Sequence, residues 1–386
     1  MPTSWVAANS DCQRRRRPVW RPVRLVQAAS IVASVWLLSA EPRAHCPDER
    51  RGRADDADHL QYVEVNGVRI AYRIEGAGIP VIFIHGETHS HELWTRQIES
   101  VRNEYLFLSY DRRGHGESGA PCTGYSPIAH AEDLEALMRH LRLREAHFVV
   151  SSRGGLVILQ FLRLRPEMVR SIIFADAALA LWQPPAPFRE ARRRNQQPAS
   201  LEDARAQRRA ATQASFYAVA RSQPNVQRIL ERMIAQYSLR VLMNPQRARD
   251  SASPLDYGPW NDRLFPDMRA LGKPTLLIVG DRTHRRFIEN ATIAAKSWPR
   301  TRCHVVYGAD HLLMLEEAEE FNRVALAFLT AVDTGKTSRE PGFAGTPSAD
   351  LLPLTGCEPT RSPQAWSTGT RRSFSGDADQ PEVHGL

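Results

Sequence analysis

The sequence predicts an α/β fold: a mostly parallel twisted sheet of about eight strands, helices on both faces, and a helical cap inserted before the last strands. Three observations predict it. Short apolar runs of strand length recur along the chain, amphipathic helical segments separate them, and one long polar interval interrupts the alternation. Strands alternating with helices are the pattern of βαβ units, whose parallel sheet is covered on both sides.

Residues 1–58 precede that pattern. A basic run, Arg14 to Arg17 with Arg21 and Arg24, leads into an apolar stretch from Leu25 to Ala40. This order matches the basic and apolar regions of a secretory signal. Gln27, Ser30 and Ser34 interrupt the stretch, which is short for a membrane-spanning helix. Export, as to a periplasm, is the favoured expectation; an uncleaved membrane anchor and an untargeted cytoplasmic extension are the alternatives. The charged segment from Glu41 to Asp58 reads as a linker.

The first core segment, 59–177, opens with a hairpin. Tyr62–Val65 and Val68–Tyr72 alternate apolar and polar residues around Asn66-Gly67, a dipeptide that accepts positive φ in a tight turn. Pro80 to Ile84 is uniformly apolar, as a strand buried on both faces should be. Comparable runs are Tyr105–Tyr110, Ala146–Val150, Ser171–Ala175, Pro274–Gly280 and Cys303–Tyr307. Helical periodicity marks Ile128–Leu141, Gly154–Leu164, Phe287–Trp298 and Glu316–Leu329. Residues 178–262 break the rhythm with an Arg-, Ala- and Gln-rich composition and helical spacing from Phe216 to Met243, and read as a cap. The second core segment is 263–332. Residues 333–386, rich in Ser, Thr, Gly and Pro, read as a disordered tail.

Composition narrows the function. The formal charge is +8, yet only Lys273, Lys296 and Lys336 are lysines. The arginines between Arg192 and Arg209 are interspersed with Glu202 and Asp203, as on a solvated face, so no nucleic-acid partner is expected. Membrane contact is expected only if the N-terminal apolar segment is an uncleaved anchor. The five cysteines are scattered without metal-ligand spacing; they predict no disulfide framework, and Cys303 reads as a buried thiol. His85, His89 and His91 lack acidic or cysteine partners in their loop, so no metal site is expected.

The chemistry concentrates in Phe148-Val149-Val150-Ser151-Ser152-Arg153-Gly154-Gly155. A buried strand ends here and a helix starts at once, with glycines just after a serine. This is the requirement of a nucleophile elbow, a sharp turn that lifts the serine above the sheet edge. The Arg153 N–H then sits at a positive helix N-terminus and can donate to an oxyanion.

Together with three other motifs in the same order, this elbow resembles the α/β-hydrolase family over about residues 60–331. His85-Gly86-Glu87 follows the third strand, and the resemblance gives the Glu87 N–H the role of second oxyanion donor. Asp111-Arg112-Arg113-Gly114-His115-Gly116-Glu117-Ser118 is similar to the family's Asp-x-Arg-Gly-x-Gly-x-Ser loop. Gly308-Ala309-Asp310-His311, followed by Glu316 and Phe321, resembles the segment that carries the catalytic histidine. The resemblance implies Ser152 as nucleophile and His311 as general base, with no cofactor.

Three positions depart from the family pattern. Val150 replaces the first small residue of the elbow and is expected to crowd it. Glu87 puts a carboxylate beside the oxyanion hole, from which it should turn away. Thr283 occupies the usual place of the triad acid, leaving Asp176, at the end of the sixth strand, Asp281, or no working acid as the alternatives. Asp176 is preferred. Trp94, Trp182, Phe188 and Phe216 are expected to line an apolar cavity beneath the cap, ordinary core packing being the alternative. The expected function is cleavage of an ester-type bond in a small, apolar carboxylic ester, lactone or related substrate. A catalytically impaired ligand-binding member and a cofactor-free non-hydrolytic enzyme are the alternatives, motivated by the three departures.

Overall fold

In the computed structural model, residues 60–179, 198–243 and 272–335 are described; all belong to one compact unit that spans Gly52–Leu386. The N-terminal signal-like segment and the tail after residue 335 lie outside the described residues.

The hairpin β1 (Leu60–Val65) and β2 (Val68–Gly76) closes at Asn66 and Gly67 with φ of 49° and 72°, the double positive turn that matches strand twist. Six further strands follow: β3 (Pro80–Ile84), β4 (Leu106–Tyr110), β5 (Ala146–Ser152), β6 (Val169–Ala177), β7 (Thr275–Gly280) and β8 (Thr301–Val306). They form one sheet in the order β1-β2-β4-β3-β5-β6-β7-β8. β1, β2 and β4 pair antiparallel, and every pairing from β4–β3 onward is parallel. The predicted fold class, eight-stranded and mostly parallel, is the observed one.

Side-chain alternation divides the core between two faces. Ile82 and Ile84 join a cluster with α2 (Pro127–His140), α3 (Gly154–Leu164) and α8 (Arg285–Ser297). Val81 and Phe83 face the other way, towards α1 (Ile98–Arg102), α9 (Leu313–Glu316) and α10 (Ala318–Asp333). Burial of such side chains on both faces is the main stabilising term, at about 1.5–3 kcal/mol for each large one. The Asp-x-Arg-Gly loop is fixed to α2 by a buried bidentate pair: Arg113 donates to both Asp133 oxygens, at 2.6 and 2.5 Å.

Between β6 and β7 the described residues form α4 (Leu201–Ala211), a 3-10 turn at Ser215–Tyr217, α5 (Ala218–Ser222), α6 (Pro224–Gln236) and α7 (Leu239–Met243), in the interval expected to be a cap. The expected periodic stretch from Phe216 to Met243 is therefore segmented. Pro224 forces Gln223 out of the helical region, to φ −111° and ψ 104°, which ends α5 and starts α6. Hydrogen bonds fasten these helices to the core. Buried Glu92 accepts from Arg232 and from Gln236, the Ala218 N–H donates to Asp310, and the Ser238 N–H donates to the Gly114 carbonyl.

One expectation fails at the edge of the sheet. Cys303 is not a free thiol: it and Cys122 are each disulfide-bonded. Cys303 sits on β8, the last strand of the sheet among the described residues, and its side chain is only partly buried. Among the described residues no helix is long and apolar enough to cross a membrane.

Candidate active site

The parallel strands β5 and β6 end beside one another, and both end in strained backbone. Ser152, the last residue of β5, has φ 48°; Asp176, next to last in β6, has φ 42°. Neither is glycine, and non-glycine residues at positive φ are uncommon outside turns and functional sites. The strand pairing shifts register between Ser151 and Ser152, and α3 starts at Gly154.

The glycines show what the elbow requires. A Cβ on Gly154 would lie 2.6 Å from the Ile84 carbonyl oxygen, and one on Gly155 would lie 2.5 Å from that of Ala178. A Cβ on Gly86 would lie 2.7 Å from the Ser152 Cβ. Val150, expected to crowd the turn, is instead fully buried in the core beside Ile84 and Phe174. Its side chain points into the packing between sheet and helices, and the close approaches fall on the glycines after the serine.

His311 follows β8 in a loop and is buried, its Nδ1 3.5 Å from Asp176 Oδ2. The other carboxylate oxygen of Asp176 accepts from the Gly280 N–H at 3.4 Å, and buried Thr283 lies beside it. Asp281 is otherwise engaged: it accepts from the Gly308 N–H at 2.7 Å and so shapes the loop that carries His311. The Phe287 ring stacks on the imidazole, 4.6 Å away at 22°, and Phe216 meets it edge-on at 5.3 Å.

Burial governs the protonation of these groups. It pushes His311 down to about 3, with further repulsion from Arg286 and His284, so the imidazole is neutral at physiological pH. It also pushes Asp176 well above the usual carboxylate range, against the Thr283 hydroxyl and Gly280 N–H.

Next to Ser152, Arg153 caps α3, and Glu87 follows β3. The Glu87 carboxylate accepts from Tyr237 of the cap and lies 3.8 Å from Arg153 Nε and 4.0 Å from Arg112 Nη2. Its charge is thus met by two guanidinium groups. His85 and His115 serve loop geometry. The Arg112 N–H donates to His85 Nε2 at 3.0 Å, and His115 Nδ1 lies 3.0 Å from the Arg113 carbonyl. Asp111 binds the N–H groups of His91 and Glu117, which fixes its own turn.

Trp94 is a correction. It is fully buried, 5.2 Å from the Phe83 ring and 6.5 Å from that of Phe321, so it is a core residue rather than a cavity wall. An aromatic close to the His85-Gly86 loop in sequence packs here against the sheet because its short 3-10 turn, His91–Trp94, folds back under the loop. Trp182 and Phe188 lie outside the described residues. Among the described residues no three His, Cys, Asp or Glu side chains converge in a metal-binding arrangement.

Sequence reasoning missed three features. Asp310 and Glu316 form a buried carboxylate pair, with the Asp310 N–H donating to Glu316 at 2.6 Å. Burial raises Asp310 to about 6 and Glu316 to about 8. His89 is buried with Nε2 2.8 Å from the Tyr217 hydroxyl, while its Nδ1 has no hydrogen-bond partner. Arg286, in the first turn of α8, lies over the Phe287 ring at 4.7 Å. Only the Asp310-x₅-Glu316 spacing was visible in the sequence; the other two depend on tertiary contact.

Comparison with known proteins decides the family. The family model of the alpha/beta hydrolase fold matches residues 79–318. The chain belongs to the α/β-hydrolase fold family. A putative non-heme chloroperoxidase of Synechocystis is 26% identical to this α/β-hydrolase over 274 residues, 68% of this chain and 95% of the relative. Non-heme chloroperoxidase CPO-A1 of Kitasatospora aureofaciens is 40% identical over 91 residues, 23% of this chain and 33% of its own. Among solved structures, a thermophilic esterase from Thermogutta terrifontis superposes with a TM-score of 0.58 at 23% identity, covering 71% of this chain and 98% of its own. The enol-lactonase from Burkholderia xenovorans gives 0.57 at 22%, covering 70% and 100%. These likenesses to solved structures speak to the fold.

Proposed function

We infer that this α/β-hydrolase cleaves an ester-type bond, a carboxylic ester or lactone, through Ser152, His311 and Asp176. The observation that carries the reading is the coincidence of a strained serine at the elbow with a buried, neutral histidine 3.5 Å from a buried aspartate. Asp176 is preferred to Asp281 because Asp281 is committed to Gly308. The names of the relatives, esterase and lactonase among them, agree with acyl chemistry.

In the proposed reaction His311 takes the Ser152 proton as the hydroxyl oxygen attacks the substrate carbonyl. The oxyanion is held by the N–H groups of Glu87 and Arg153, each donor contributing about 10²–10³ in rate. Collapse expels the alcohol, which receives the proton from the imidazolium. Water, deprotonated by the same imidazole, then attacks the acyl-serine and releases the acid. Asp176 orients the ring and stabilises the imidazolium. Its 3.5 Å separation is long for a hydrogen bond, as catalytic contacts often are before substrate binds.

The test is labelling with a fluorophosphonate probe. Wild type is expected to label, and Ser152→Ala and His311→Ala are not. A folded wild type that fails to label sinks the proposed serine mechanism.

A further inference from the structure

One cation beside the catalytic pair is not accounted for by the hydrolytic machinery. The Arg286 guanidinium lies over the ring of Phe287, 4.7 Å from its centroid, and that ring stacks on His311 at 4.6 Å. Arg286 is therefore one aromatic ring removed from the general base. It is partly buried, and among the described residues no carboxylate lies within ion-pair distance of it. Asp176 is close enough to be felt but is directed to His311 and Gly280. Arg153 adds a second positive charge nearby. A guanidinium kept away from water is costly unless an anion meets it.

A second, independent observation concerns His89. A Cβ placed on Gly86 would lie 3.0 Å from His89 Nδ1 and 3.3 Å from Ser152 Oγ, so the unpartnered nitrogen and the nucleophile border the same small space. The His89 and His311 rings are 6.2 Å apart. Burial lowers His89 to about 3, so it holds one ring proton. The Tyr217 hydroxyl, which burial keeps protonated, can donate to Nε2; with the contact in that direction the ring proton sits on Nδ1, on the side of Ser152. Tyr217, the partner of His89, also lies near enough to Arg286 to feel its charge.

We propose that the site selects substrates whose acyl portion carries a carboxylate, received by Arg286, with His89 Nδ1–H as a neutral hydrogen-bond donor nearer the scissile carbonyl. This rests on the ester-cleaving reading and narrows it from a small apolar substrate to the monoester of a small dicarboxylic acid.

The experiment compares monoethyl succinate with diethyl succinate by pH-stat, using the full chain. Wild type is expected to favour the monoanion by roughly 10–100-fold in kcat/KM, the discrimination that a charge-assisted hydrogen bond supplies. Arg286→Gln is expected to bring that ratio to about one, and Arg286→Lys to restore part of it. Equal turnover of both esters by wild type, or an unchanged ratio in Arg286→Gln, overturns the proposal while leaving the hydrolase reading intact. Calorimetry on Ser152→Ala separates the two failures. Monoethyl succinate should bind it at least tenfold more tightly than it binds Ser152→Ala/Arg286→Gln, even if neither ester is ever turned over. Equal binding by the two proteins overturns the anion site.

Discussion

At the residue scale, the contrast between Asp176 and Asp281 is the sharpest. Asp176→Asn should lower kcat by about 10⁴, the cost of a misdirected imidazole in serine hydrolysis. Asp281→Asn should stay within about tenfold, since it loosens only the Gly308 turn. Steady-state kinetics on the two variants checks both. The charge state of His311 gives a second expectation. A base is active once deprotonated, and its folded pKa is depressed to about 3, so the acid limb of the kcat/KM profile should fall well below pH 6.5. A limb near 6.5 would mean that the imidazole is better solvated than its burial implies. The sequence could nominate Ser152 and His311 because their neighbours form local motifs. His89 and Arg286 lie in no motif; only the fold brings them close to His311.

At the element scale, the loop that bears His311 is also the point where the cap is fastened. Asp310 accepts from the first residue of α5, and its own N–H donates to Glu316. Burial raises both carboxyls above their unfolded values, so the folded state binds more protons than the unfolded state through the intervening pH range. The stability this contributes is fully present below about pH 3.8 and is lost as pH rises through about 6 for Asp310 and about 8 for Glu316. Urea denaturation from pH 5 to 8.5 should show this decline in wild type, with a flatter profile in Glu316→Gln. The strands were legible because burial on both faces leaves uninterrupted apolar runs such as Pro80–Ile84. The cap was less so: its apolar periodicity continues through Pro224, and only the backbone restriction at Gln223 reveals separate helices. Trp94 was misjudged because an apolar residue near a catalytic loop has the same sequence signature whether it faces a cavity or the core.

For the whole molecule, the disulfides at Cys122 and Cys303 change the expectation drawn from scattered cysteines. Bonds of this kind persist in oxidising compartments. Reduction should lower stability by roughly 2–4 kcal/mol for each bond. Thermal melts with and without dithiothreitol check this, and an unchanged midpoint would refute it. Spacing could not reveal these bonds, because a sulfur pair that joins remote segments leaves no local trace. The two-faced sheet, by contrast, was readable throughout, since every parallel strand repeats the same composition.

The backbone at Ser152, Thr88 and Asp176 has one more consequence. Each holds a side chain in a conformation that glycine adopts freely, at φ of 48°, 59° and 42°. Such residues are strained by about 1 kcal/mol or more. Durability and turnover are therefore opposed at the elbow. Ser152→Gly, which lacks the proposed nucleophile, should unfold at a higher urea concentration than wild type, and the difference would measure how much robustness the fold gives up to hold a serine there.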